Sequence, residues 1–388
     1  MKRTSTILIF LMLVTSMQAQ LPVAKDNYDE RLSLNLDAAT FVRDAEFFMP
    51  FAKGYTAAGF WCEPTLSYFL YNNEVQIRGG VRMVGVAGTE GLYQWRPILS
   101  ITYNPNSWAE FTLGTLPSRS QAQTRSKQAL LSSRHNAGDP IYDPERWFYR
   151  EQEDGMQIVT HTRYWESDTW LNWEHFLEPW TADQERFTLG SSHRIKFSPN
   201  NNLFNVSIPM VFSGSHRGGQ ITTLDTCIET LFNESIGLQF DFYPTNRIST
   251  PPIATVLLPC YFFQNNSHTV QTPYQQGWGF YPQVVLTKEY GNSRNTVSLN
   301  MGYWYGYQYY SARGSAMFNS SSPFDPYYCD PYRNMVTAKV AFQHRMPKFS
   351  FMFDAEGYYD IMLAKFDFVV GLSMEFSNSW DLWPKALR

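Results

Sequence analysis

The stretch that decides the fold lies near the C-terminus: Lys365-Phe366-Asp367-Phe368-Val369-Val370-Gly371-Leu372-Ser373-Met374-Glu375-Phe376. Phe366, Phe368, Val370, Leu372, Met374 and Phe376 fall on one side of an extended chain; Asp367, Gly371, Ser373 and Glu375 fall on the other. A period of two is the signature of a β-strand, whose successive side chains point to opposite faces. The same alternation recurs upstream. Phe204, Val206, Ile208, Met210 and Phe212 oppose Asn205, Ser207 and Ser213; Ile236, Leu238, Phe240 and Phe242 oppose Ser235, Gly237, Gln239 and Asp241. Val297, Leu299, Met301, Tyr303 and Tyr305 oppose Ser298, Asn300 and Gly302.

Such segments run to about ten residues, the length with which a tilted strand crosses a bilayer. Roughly sixteen can be marked: 32–43, 64–71, 75–86, 95–103, 108–115, 155–165, 169–178, 186–197, 202–213, 234–243, 252–262, 277–289, 295–305, 336–344, 349–359 and 365–376. The 252–262 segment is the weakest, because its prolines remove ladder hydrogen bonds. If two weak segments fail, the count drops to about fourteen.

Alternation alone also suits a soluble sandwich. Loop lengths separate the two. Links from even to odd strands are short, as in Asn72 to Glu74 and Glu166 to Asp168. The very long links, near 116–154, 214–233, 263–276 and 306–335, all have the opposite parity. Short turns on one side and long loops on the other describe a closed antiparallel transmembrane β-barrel with both chain ends on the periplasmic side. A sandwich has no reason to sort its loops in this way.

Composition agrees. Aromatic residues make up 17% of the 388 and charged residues only 17%. The longest apolar run beyond the N-terminus, Pro251 to Phe263, is too short for a membrane helix and carries three prolines. A net charge of −4 with no basic stripe predicts no nucleic-acid partner. Lys2 and Arg3, an apolar core from Ile7 to Val14, and Ala19 before Gln20 predict a signal peptide over 1–19. A periplasmic segment over 20–31, a barrel over 32–376 and a periplasmic tail over 377–388 complete the expected order.

In this pattern the chain resembles Gram-negative outer-membrane barrels. A final alternating strand ending on an aromatic residue, here Phe376, resembles their insertion signal, and the Gln20 start with aromatic-rich strands resembles barrels of the Bacteroidota. The resemblance implies the outer membrane as location and its lipid as contact partner. It implies no particular functional family.

If the apolar sets face lipid, the opposite sets line the interior. They include Arg78, Arg82, Arg96, Glu110, Glu174, Arg194, Lys196, Asp241, Lys339, Asp354 and Glu356. Both signs are present, so the charges either pair with one another or line a hydrated pore. Two loops carry a similar Asp-Pro arrangement, with Asp139, Asp143 and Arg146 in one and Asp325, Asp330 and Arg333 in the other. The two copies either place carboxylates and aromatic faces around a polar ligand or serve as turn punctuation, with the balance toward turns, and neither has the spacing of an EF-hand calcium loop. The four cysteines, Cys62, Cys227, Cys260 and Cys329, lack a zinc spacing. Export to an oxidising compartment predicts two disulfides, with Cys227–Cys260 and Cys62–Cys329 favoured among the three pairings open to four cysteines.

Neither a Gly-x-Ser-x-Gly nor a His-Glu-x-x-His run occurs. One outward patch holds chemistry: Ser191 and His193 on one strand and His175 on the preceding one, all on the face expected to meet lipid. A serine–histidine pair there would suit a lipid hydrolase, but no third group is evident. The balance favours a non-enzymatic protein without metal or cofactor, a porin-like passive channel for small polar solutes. The alternative is a structural or assembly component of an envelope complex, docking partners or copies of itself.

Overall fold

The computed structural model describes residues 30–117, 134–145, 152–178, 183–198, 203–219, 228–243, 252–266, 273–325 and 327–383. The expected signal peptide, Arg146 and Cys227 lie outside them. The strands are β1 (Arg31–Glu46), β2 (Tyr55–Leu70), β3 (Val75–Val86), β4 (Gln94–Asn106), β5 (Ala109–Thr115) and β6 (Asp154–His161). Then come β7 (Trp165–His175), β8 (Glu185–Lys196), β9 (Phe204–Gly218), β10 (Glu229–Phe242), β11 (Ala254–Asn265) and β12 (Gln276–Phe280). The remainder are β13 (Gln283–Tyr290), β14 (Asn295–Tyr307), β15 (Tyr332–Arg345), β16 (Phe349–Asp360) and β17 (Lys365–Trp383).

Each strand pairs antiparallel with its neighbours, and β1 pairs with both β2 and β17, which closes the sheet into a barrel. β12 and β13 each bridge β11 and β14, so they are the two halves of one interrupted strand and seventeen strands fill sixteen barrel positions. The interruption falls at Tyr281 and Pro282, where proline has no N–H to give the ladder. The expected barrel of about sixteen strands is what forms. Several strands are longer than expected: β2 begins at Tyr55, and β17 runs seven residues past Phe376, paired with β1 through Trp383 opposite Leu32.

The wall is turned inside out relative to a soluble protein. Outward side chains such as Leu99, Leu113, Ile236, Val340 and Leu372 are exposed, while Ser67, Thr112, Thr188, Ser207, Asp241 and Ser373 are buried on the inner face. Apolar surface on this scale is stable only against lipid. The short links, at 71–74, 162–164, 291–294 and 346–348, share one end, and the 116–153 and 308–331 links share the other.

Segments of these long loops fold back into the barrel. Ile141 and Tyr142 from the first, and Tyr309, Met317 and Phe318 from the second, pack with Phe51, Tyr261, Tyr281, Trp304 and Tyr358 into one buried cluster. The loops also bond each other: Asp143 N donates to Arg313 O at 2.8 Å, and Ser315 N to Asp139 O at 2.9 Å.

Candidate active site

The candidate site is built by the β7–β8 hairpin. Their register sets Thr169 opposite Ser191 and Ser167 opposite His193. On both strands the odd-numbered residues face outward: Trp165, Ser167, Thr169, Leu171 and Trp173 on β7, and Phe187, Leu189, Ser191, His193 and Ile195 on β8. Among these apolar neighbours three polar groups satisfy one another. The Ser191 hydroxyl lies 2.8 Å from His193 Nε2, and the Thr169 hydroxyl 2.7 Å from Ser191 Oγ. With Ser191 donating to Nε2, Thr169 donates in turn to Ser191 Oγ, and the imidazole proton sits on Nδ1. His193 Nδ1 is buried with no hydrogen-bond partner, so no carboxylate orients the ring; Trp165 flanks it instead, centroid to centroid 5.8 Å.

His175, expected beside this pair, is elsewhere. It stands opposite Arg186 across a register shift in β7 and reaches Asp183 at 3.6 Å. Alternation fixes which face a residue takes but not its partner across the ladder. Thr169, which the sequence reading missed, carries the signal that could have found it: a hydroxyl at an outward position of the strand preceding the Ser191 strand.

Behind the pair, on the inner face, Gly190 receives the Trp170 ring. A Cβ there would lie 2.1 Å from the indole. On the other side of that indole, His135 from the 134–145 segment stacks at 3.7 Å and 3°. His135 bridges Glu153 at 2.9 Å and Asp168 at 2.7 Å, and Tyr142 donates to the same Glu153. Burial favours the neutral ring, but Asp168 and Glu153 outweigh it and lift the imidazole to about 8.

All eleven expected pore-lining charges fall on inner-face positions. Most are neutralised. Arg43 joins Asp354 at 2.9 Å, Glu356 at 3.3 Å and the loop residue Glu145 at 3.0 Å; Lys339 joins Glu356 at 2.6 Å. Arg194 joins Glu166 at 3.7 Å, Lys196 joins the same carboxylate, and Arg313 of the second loop joins Glu174 at 2.7 Å. Asp241 accepts from Gln239 at 2.9 Å and Thr255 at 2.7 Å.

The described aspartates of the Asp-Pro runs serve their own turns. Asp143 accepts from Glu145 N, Asp325 from Tyr327 N and Asp330 from Tyr332 N, each two residues on, as turn-forming aspartates do. Arg333 is fully buried, bonded to Asp360 at 2.9 Å and set 3.5 Å over the Phe51 ring. Among the described residues no group of His, Cys, Asp and Glu side chains could hold a metal.

The expected Cys62–Cys329 bridge is not formed. Cys62, Cys260 and Cys329 are free thiols. Cys62 and Cys260 alternate with the buried residues Trp61, Glu63 and Tyr261, so they point out of the wall, away from the loop thiol Cys329.

Closed wall, inverted polarity and sorted loops together define an outer-membrane β-barrel protein. Residues 24–385 match the family model described as lipid A 3'-O-deacylase-type. The chain belongs to that family. The expectation that it is not an enzyme is thereby overturned, since the family is one of enzymes.

Among solved structures it is similar to OmpT of Vibrio cholerae lacking loop L8, at 10% identity and a TM-score of 0.50 over 92% of this chain and 100% of that one. It is also similar to OprD from Pseudomonas aeruginosa, at 10% identity and 0.48 over 92% and 95%. A third is an anion-selective porin from Comamonas acidovorans, at 9% identity and 0.45 over 91% and 100%. Such identities speak to fold alone. No curated protein matches the chain.

Proposed function

We propose that the protein is an outer-membrane ester hydrolase that removes an ester-linked acyl chain from a glycolipid of the lipid A class. The observation that carries this reading is the hydrogen-bonded Ser191–His193 pair on the lipid-facing wall, where a hydroxyl and an imidazole contribute nothing to membrane insertion. A pair so placed is reached from within the membrane plane, the route open to a substrate whose scissile bond lies among acyl chains. Membership of the lipid A 3'-O-deacylase-type family supplies the substrate class.

Ser191 Oγ attacks the ester carbonyl carbon while His193 Nε2 takes the hydroxyl proton. His193 then returns that proton to the departing sugar oxygen. Water, deprotonated by the same Nε2, attacks the acyl-serine carbonyl; the C–Oγ bond breaks, Nε2 returns the proton to Ser191 Oγ, and the fatty acid leaves. Thr169 holds the Ser191 rotamer toward the imidazole.

The passive-channel reading has less support. It rests on the inward charges, and those are largely ion-paired beneath an apolar loop cluster.

The test is mass spectrometry of lipid A after incubation with the purified protein in detergent. The wild type is expected to remove one acyl chain, and Ser191→Ala and His193→Asn to lower the rate by roughly a thousandfold. Full activity in both variants would move the reaction to another site.

A further inference from the structure

The inner wall of β2–β4 holds a separate group of side chains whose hydrogen-bonding capacity is not used. Four charges run across it in a row: Asp37 on β1 stands opposite Glu63 on β2, Glu63 bonds Arg82 on β3, and Arg82 stands opposite Arg96 on β4. The acidic end is satisfied, Asp37 by the Ser377 hydroxyl at 2.6 Å and Glu63 by Arg82 Nη1.

The basic end is not. Arg82 is 4% exposed, its guanidinium lies 5.1 Å from the Trp61 ring centroid, and its Nε and Nη2 are buried without a partner. Arg96 faces the same interior and makes no ion pair among the described residues. The Thr65 hydroxyl, 2% exposed and one inward position along β2 from Glu63, also has no partner. Next along β3, Arg78 adds a third positive charge while donating to Ser100 at 3.3 Å and to Thr115 O at 3.1 Å.

Two like charges directly across a ladder oppose folding, and a buried guanidinium N–H without an acceptor does so more strongly. An anion between them removes both penalties. Nε and Nη2 are the parallel donors of the side-on guanidinium fork, the pair that grips two oxygens of one oxyanion, while Glu63 on Nη1 holds the fork in place. The unused nitrogens are all donors, so a cation has nothing to bind.

We propose that this wall binds a small oxyanion of the phosphate or sulfate class, gripped by Arg82 Nε and Nη2, with Arg96 opposite and Thr65 beside it. Arg82 and Arg96 lie toward the long-loop end of their strands and face the interior, so the anion enters from the external mouth. The site does not depend on the Ser191 pair, which faces the other side of the wall.

The experiment is calorimetric titration of the full-length protein in detergent with inorganic phosphate at constant ionic strength. Saturable one-site binding is expected, weakened roughly tenfold by Arg96→Gln and comparably by Arg82→Lys, which keeps the charge but loses the fork. Heat-modified gel mobility checks folding; if Arg82→Lys fails to fold, Arg96→Gln decides alone, because Arg96 makes no ion pair among the described residues. Ser191→Ala is expected to bind phosphate like the wild type. Phosphatidic acid in the micelle is expected not to compete, since lipid meets the outer face only; competition by it would overturn the lumenal placement. Absence of saturable binding, or unchanged affinity in Arg96→Gln, would mean that water alone fills the site.

Discussion

Ser191 and His193 illustrate how a residue in a membrane wall declares itself. A polar group facing lipid is unfavourable unless bonded, and here Thr169, Ser191 and His193 bond one another in sequence. Thr169→Val keeps the shape and removes the donor. It is expected to lower kcat by roughly tenfold with KM little changed, because it disturbs the serine and not lipid binding. Steady-state kinetics on lipid A micelles would show this, and an unchanged kcat would remove Thr169 from the site.

A second residue-scale prediction concerns His135. Its folded-state value of about 8 lies above the ordinary 6.5, so its stabilisation is complete below the lower value and disappears as pH rises through the upper one. The full effect is about 2 kcal/mol, from the separation of the two values. Thermal unfolding followed between pH 6 and pH 9 should show the loss in the wild type. His135→Asn, chosen because φ is 59° there, should flatten the profile. A wild-type melting temperature constant across that interval would refute the ion-pair account.

At the scale of elements, β8 does two jobs with adjacent residues. Ser191 faces the membrane, while Gly190 faces inward and lets Trp170 lie flat against the strand under His135. Gly190→Ala drives a Cβ into the indole and should destabilise the barrel by about 1–3 kcal/mol, read as a lower midpoint in urea-induced unfolding. The His135 stack should loosen with it, so the pH dependence should weaken in the same variant. Strand positions were legible in the sequence because alternation is local. The β7–β8 register was not, because shifting it by an even number of residues leaves every side chain on its proper face. That is why Ser191 and His193, two apart on one strand, were recognised as neighbours while His175 on the preceding strand was misplaced. Thr169 stands opposite Ser191 instead.

For the whole molecule, the issue is what fills the cylinder. The described loop residues bring Ile141, Tyr142, Tyr309 and Phe318 inside and tie them to the wall through Glu145 to Arg43 and Arg313 to Glu174. In planar bilayers the wild type is expected to conduct far less than an open barrel of this strand count. Replacing Arg43 and Arg313 together with glutamine should raise both the frequency and the size of conductance steps. Large steady steps from the wild type would instead restore the channel reading.

Period-two patterning, loop lengths sorted by parity and the dearth of long apolar runs fixed the architecture, the membrane and the face on which each side chain sits, because all of these follow from the local geometry of a strand. Pairing across the ladder, the entry of the loops and the neutralisation of Arg43 by residues from distant parts of the chain were decided only in three dimensions. Those contacts join residues as far apart as Arg43 and Glu356, and nothing in the spacing of either one identifies the other.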